Sequence, residues 1–416
     1  MTGIQATDLS RVRRQATDIF RAGLAATAGE TRVAAFLADH TSTEPVSVVA
    51  LGKAASAMAG GATGALGPRL QRGLLVTKPG HTSPILQQDA RFTCLEAGHP
   101  VPDRRSLEAG RQLLQFIAET PRGESLLFLL SGGTSSLVEV LDETSDLDGL
   151  LRLNHWLLGS GLDIATVNRI RRSVSRIKGG QLLDYLADRP ATVLLISDVP
   201  GDDPAVIGSG LLAPARDVPE LPAGLPDWIQ RLTAERHPAA DAPHGLRQVA
   251  HHVIARLKDA LEAAAGYARK TGYDVTTVDA ALCGDAIAAG ERIAQHLQRQ
   301  SAGVYLWGGE TTVCLPERPG RGGRNQSLAL AAAIVLQDSR DCVLLAAGTD
   351  GTDGPGDVAG AIVDGGTVAR GGSLQAARAA LQGADAGRFL DASGDLLVTG
   401  PTGTNVMDMV VGLKTG

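Results

Sequence analysis

Aromatic side chains, cysteines and long apolar runs are all scarce in this chain, and each shortage closes off a class of function. Aromatics make up 3% of the 416 residues against 44% hydrophobic residues overall. The cores must therefore be built from Ala, Val and Leu, which suits helices packed closely on parallel strands. The four cysteines, Cys94, Cys283, Cys314 and Cys342, are far apart in the chain. They show neither zinc spacing nor a disulfide framework, so a reduced, cytoplasmic protein is the expectation. No apolar stretch reaches the ~18 residues of a membrane span. The opening MTGIQATDLSRVRRQATDIF reads as an amphipathic helix without the apolar core of a signal peptide, and Asp8 and Asp18 argue against an import sequence. Positive charge is not in excess either. With 39 Lys and Arg against 45 Asp and Glu, the net charge is -6, which excludes the overall basic field that nucleic-acid binding needs.

Two phosphate fingerprints are missing. There is no G-x-x-x-x-G-K-[ST], which rules out a P-loop, and no G-x-G-x-x-G. The first strand opens into LGKAAS with a single glycine, and the next strand ends in Thr77 and Lys78, where a nicotinamide site would place an acid for the ribose hydroxyls.

What is present has a clear rhythm. VSVVALG, GLLVTK, SLLFLLSGG, ATVLLISDVPGDD, GVYLWGGE and CVLLAAGTDG are apolar runs that end in polar or glycine-rich loops and alternate with Ala- and Leu-rich helical stretches. This is the pattern of α/β domains with parallel sheets, whose ligands sit beyond the carboxyl ends of the strands. The length exceeds the roughly 250–300 residues at which one core stops growing, so two domains with a cleft between them are expected. Pro214, Pro219, Pro222, Pro226, Pro238 and Pro243 interrupt regular structure and place a connection there. The expected division is an N-terminal Rossmann-like domain over 1–225, a linker over 226–245 and a second α/β domain over 246–416, with the final strand free to return to the first domain.

The polar motifs fall at the strand ends. In SGGTSS, Gly132 and Gly133 let backbone N–H groups approach an anion, and Ser131, Thr134, Ser135 and Ser136 add hydroxyls. A tight turn with a capping serine is the plainer alternative. ISDVPGDDP gathers Asp198, Asp202 and Asp203; Asp198 suits a metal-ligand or acid–base role and Asp203 a cap. WGGETTV presents Glu310, and GRGGRNQS carries Arg321 and Arg324 on glycine-rich backbone before a helix, followed by Asn325. An arginine fork beside a helix N-terminus attracts an anion. AAGTDGTDGPGD sets Asp350, Asp353 and Asp357 among glycines without EF-hand spacing, so Asp350 or Asp353 could hold Mg²⁺, bind substrate hydroxyls or simply shape a turn. The stretch DIATVNRIRRSVSRIKGG, from Asp163, leaves Arg169, Arg172 and Arg176 on one helix face, read as solvated, with Lys178 at its end directed toward the cleft. His81 and His99 read as loop residues.

LGKAASAMA, EAGHPVPDRRS, LLSGGTSSL, VNRIRRSVSRIKGGQL, LISDVPGDDPAVIGSG, WGGETTV, GGRNQSLALAAA, AAGTDGTDG and TGPTGTNVMD resemble, in order, the motifs of the bacterial glycerate 2-kinase family. That family includes tartrate-pathway proteins formerly labelled hydroxypyruvate reductase. The resemblance spans roughly residues 10–415 and implies a Rossmann-like domain followed by a MOFRL-type domain, with the active site in the cleft. It implies transfer of the ATP γ-phosphoryl group to D-glycerate, giving 2-phosphoglycerate, with Mg²⁺ as cofactor, small-molecule partners and a homodimer left open. It carries over Lys53 and Arg324 as active-site residues. Around them, Asp198 stands as catalytic acid–base or metal ligand, Glu310, Asp350 and Asp353 as further Mg²⁺ ligands, and Ser131 to Ser135, Asn325 and Lys178 as substrate or phosphate contacts. One departure is visible: the family reads IGSGPT where this chain has IGSGLLAP. The rival readings are an NAD(P)H-dependent hydroxypyruvate reductase and a non-catalytic metabolite-binding protein.

Overall fold

Runs such as VSVVAL and CVLLAAG are apolar at every position, so they form stable strands only where both faces are covered. Both runs are fully buried strands in the structure. That structure, a computed structural model, describes residues 9–40, 42–142, 145–160, 162, 164–187, 189–214, 221–234, 249–279 and 281–415. The chain divides into two compact units, one formed by Gly29–Ile254 and the other by the segments on either side of it.

The first unit carries a sheet of β1 (Val46–Leu51), β2 (Leu70–Thr77), β3 (Phe92–Glu96), β4 (Ser125–Leu130), β5 (Ala191–Ile196) and β6 (Ala250–Ala255), in the order β3-β2-β1-β4-β5-β6. β1 runs parallel to β2 and β4, β2 to β3, and β4 to β5. The order reverses between β1 and β4, and this switch point leaves a crevice outside the two strands' carboxyl ends. LGKAAS and SGGTSS follow those two ends. EAGHPVPDRRS, whose role the sequence left open, has a local purpose as well. The Asp103 carboxylate accepts the N–H groups of Arg105 and Ser106, and the Ser106 hydroxyl oxygen in turn accepts the Asp103 N–H, so the motif starts the helix Arg104–Glu119 with a capping box. The expected linker is partly regular, because Asp227–Ala234 is a helix whose Ile229 packs in a small cluster of this unit. Residues 235–245 of that linker lie outside the described residues.

The second unit contains β7 (Val275–Thr277), β8 (Gly303–Gly309), β9 (Cys342–Gly348), β10 (Gly360–Asp364), β11 (Leu396–Leu397) and β12 (Asp408–Lys414), in the order β11-β10-β9-β12-β8-β7. The parallel sheet expected here is in fact mixed. β12 runs antiparallel to both β8 and β9, and only β7 and β8 are parallel. A fully buried strand reads as a continuous apolar run whichever way its neighbour points, so the pattern could not distinguish the two. The final strand stays in this sheet and does not return to the first unit.

The N-terminal helix Leu9–Ala26 also belongs to the second unit rather than to a continuous 1–225 domain. It buries Val12, Ala16, Ile19, Phe20 and Gly23 along one stripe. Arg13 then donates to Asp364 at 2.6 Å and to Asp395 at 2.8 Å, two carboxylates that Arg370 also holds. Among the described residues, no helix is long and apolar enough to cross a membrane. The four cysteines are unpaired.

Candidate active site

In the first unit the glycine loops are cross-tied. The Lys53 N–H donates to the Gly132 carbonyl at 2.9 Å, and the Ala54 N–H to the Ser131 hydroxyl at 3.1 Å. The Thr134 hydroxyl donates to the Ser131 carbonyl at 2.7 Å. Ser131 and Thr134 are fully buried, so these two hydroxyls join β1 to β4 and are unavailable to a ligand, which corrects their reading as substrate contacts. Gly133 has φ 87°, and a Cβ built on it would stand 2.9 Å from the His99 ring and 3.2 Å from Lys53 Cγ. Glycine is required there on both counts, backbone conformation and space.

Beside Gly133 opens a cavity of about 170 Å³ lined by His99, Pro100, Pro102, Gly133, Ser135, Ser136, Glu139, Leu150, Asn154, Arg171 and Lys178. Three motifs meet at its edge. The Ser135 hydroxyl lies 2.7 Å from that of Ser209 in IGSG, while Gly179 N–H in KGG donates to the Ser209 carbonyl at 2.9 Å. Lys178 and Glu139 form a buried ion pair, with the Lys178 Nζ donating to the carboxylate. His99, read as an ordinary loop residue, proves to be cavity lining. The departure at IGSGLL is explained by packing, since Leu211 and Leu212 are buried in the core of this unit.

The basic helix is only partly solvated, contrary to the sequence reading. It spans Ile164–Ser173, and Asp163 lies outside the described residues. Arg176 is exposed. Arg172 donates to the Ala205 carbonyl at 3.0 Å. Arg171, which the sequence did not single out, turns into the cavity. Asp198, half-buried after β5, is not in the cavity lining. Asp203 does serve as a cap, its carboxylate accepting the Ala205 N–H at 2.9 Å.

The second unit gathers charge at one sheet edge. Asp408 opens β12 opposite Gly309 of β8 and Gly348 of β9, so the carboxyl ends of β8 and β9 and the amino end of β12 coincide. Arg324 places its fork between Asp408, at 2.5 and 3.0 Å, and Glu310, at 2.7 Å. Burial works against the guanidinium charge, but Asp408, Glu310 and Asp353 outweigh it and push the Arg324 pKa above its ordinary value. Asp408 is only 1% exposed and is the functional candidate that sequence reading missed.

Asp353 has a different task from the one expected. Its oxygens accept the N–H groups of Asn325 and Gln326 at 2.9 and 2.8 Å, together with both their side-chain amides. It therefore caps the helix Arg324–Val335 from a separate loop. Asn325 is engaged in that cap and buried. Burial raises the Asp353 pKa to about 6, against the pull of the helix N–H groups. Asp350 accepts the Thr352 N–H and hydroxyl. Arg321 forms an exposed pair with Asp391 at 3.1 Å. Among the described residues, no group of three or more His, Cys, Asp or Glu side chains is placed to hold a metal ion.

A Rossmann-ordered sheet with glycine loops at its switch point, in one chain with a mixed sheet whose edge holds an arginine between carboxylates, defines a two-domain α/β protein. Residues 15–225 match the domain of unknown function DUF4147, and residues 303–408 match the MOFRL family. The chain is 36% identical to D-glycerate 2-kinase of Thermotoga maritima, over 88% of this chain and 90% of that protein. It is 33% identical to glycerate 2-kinase of Pyrococcus horikoshii, over 89% and 87% respectively. The crystal structure of a Thermotoga maritima glycerate kinase superposes with a TM-score of 0.81 at 33% identity, covering 98% of this chain and 100% of that one. The chain belongs to the glycerate 2-kinase family.

Proposed function

We propose that the protein transfers the γ-phosphoryl group of ATP to the 2-hydroxyl of D-glycerate, giving 2-phosphoglycerate and ADP. The observation that carries the reading is the match in both domains, over nearly the full length of each protein, to relatives named for this reaction.

Phosphoryl transfer depends on positioning and charge neutralisation more than on covalent chemistry by the protein. Lys53, held against SGGTSS, and Arg324, held in a fixed plane by Asp408, are the cations that neutralise the transferring group. Gly132 and Gly133 keep the backbone open beside Lys53, and Ser135 is the loop hydroxyl at the cavity. Asp198 is the proposed acceptor of the 2-hydroxyl proton. Mg²⁺ arriving on the nucleotide needs only one or two protein carboxylates, which fits Glu310 and Asp350 better than an all-protein site. When bound, the ion would neutralise charge on the nucleotide's phosphates. A cytoplasmic setting accords with the unpaired thiols.

The rival nicotinamide reading gains nothing from strand order alone, because fold does not fix function. The test is ADP release from ATP and Mg²⁺ with and without D-glycerate, alongside NADH and NADPH absorbance with hydroxypyruvate. Glycerate-dependent ADP release without nicotinamide oxidation is expected; the reverse would overturn the proposal.

A further inference from the structure

Arg171 is a cation without a counter-charge. Its Nε is buried and lacks a hydrogen-bond partner, and its guanidinium makes no ion pair with any described residue. Of its two sequence neighbours on the same helix, Ile170 packs in the apolar cluster of Leu150, Leu153 and Ile229, while Arg172, whose Nε likewise lacks a partner, donates through a terminal nitrogen to the Ala205 carbonyl. Burial lowers the Arg171 pKa, and no carboxylate acts to restore it. A half-buried, unpaired guanidinium costs stability unless something compensates it.

The surroundings indicate what that compensation is. Arg171 faces the cavity shared by His99, Ser135, Ser136, Asn154 and the Lys178–Glu139 pair. Lys178 and Glu139 cancel each other, which leaves the Arg171 charge unbalanced. The cavity, of about 170 Å³, has room for a small organic acid. Planar, bidentate recognition of a carboxylate is what the arginine fork does best.

We propose that Arg171 is the carboxylate anchor of a small hydroxy-acid site in this cavity, with Ser135, Ser136 and Asn154 as the polar wall that reads the hydroxyl groups. This deepens the kinase proposal and rests on it only for the identity of the acid. Arg171 is thereby a binding and specificity residue for the acceptor, while nucleotide binding is independent of it.

The experiment compares Arg171→Met and Arg171→Lys with the unaltered full-length chain, using D-glycerate, the neutral analogue glycerol and ATP as probes. Calorimetry should show D-glycerate binding weakened roughly 10- to 100-fold in Arg171→Met, with part of that recovered in Arg171→Lys, no detectable glycerol binding in any form, and KM for ATP within about twofold of the unaltered value. Without ligand, Arg171→Met should unfold at the same temperature or higher, because an unpaired buried charge has been removed. A lower melting temperature together with unchanged D-glycerate affinity would make Arg171 a structural residue and overturn the proposal. Unchanged D-glycerate binding in a stably folded Arg171→Met would overturn it equally. Asn154→Leu, at another residue of the cavity lining, gives a second test, and unchanged affinity there would remove the hydroxyl-reading wall. If the unaltered chain binds D-glycerate through Arg171 yet forms no phosphorylated product, the kinase proposal fails while the anchor stands.

Discussion

The two sheets present charge at their ends in opposite ways. At the β1–β4 switch point, cations face glycine loops and a cavity, and Arg171 makes no ion pair with any described residue. At the β8–β9–β12 edge, Arg324 lies between Glu310 and Asp408. The first arrangement keeps a cation ready for an anion at a cost in stability. The second fixes the plane of a guanidinium before any ligand arrives. Substitutions at the two ends should therefore separate function from stability differently.

The largest effect is expected at Arg324. Arg324→Ala should lower kcat at least ~100-fold, since a charge-stabilising arginine contributes roughly 10³–10⁵ in rate. Arg324→Lys should also lose most of it, because a lysine cannot engage Asp408 and Glu310 through one planar fork. Steady-state kinetics checks both variants, and near-normal turnover in either would remove the fork from the mechanism. Next comes Asp408→Ala, which leaves Arg324 without its buried partner and should cost about 2–3 kcal/mol in urea unfolding as well as turnover. This double loss contrasts with Arg171→Met, where binding falls but stability holds.

Gly133→Ala should cost about 1–2 kcal/mol for the left-handed backbone and displace His99 and Lys53. Loss of turnover without any change in the unfolding midpoint would contradict that reading. The smallest effect is a slope. Burial alone would raise the Asp364 pKa, but bonds from Arg370 and the Gly366 N–H, with the charges of Arg370 and Arg13, hold it below 3.8. Its contribution to stability is then present above pH ~3.8 and lost as the pH falls through the lower folded value. Asp364→Asn should flatten the acid limb of the unfolding curve, and an unchanged limb would exclude this group as its source.

Much of this architecture is legible in the sequence, and the omissions have physical causes. Glu310, Arg324 and the SGGTSS loop stand out because they follow apolar strands directly, where a parallel sheet places its ligands. Asp408 escapes the same logic because it precedes its strand, and only the antiparallel pairing of β12 brings it to the shared edge. Arg171 is one of five basic residues between 169 and 178. The cavity it lines is shared with Leu150, Asn154 and the His99 loop, which helical periodicity cannot locate. Counting hydroxyls overstated the anion loop, since Ser131 and Thr134 bind the loop to β1. Asp353 read as a metal ligand because nothing local shows that it caps a helix beginning 29 residues earlier, at Arg324.

The most direct test of the central claim is the position of the transferred group. Purified full-length protein is incubated with ATP, Mg²⁺ and D-glycerate, and enolase is added without phosphoglycerate mutase. Formation of phosphoenolpyruvate is the predicted result, because enolase acts on the 2-phosphate alone. ADP release with no phosphoenolpyruvate would place the phosphate elsewhere and contradict the assignment of the 2-hydroxyl as acceptor.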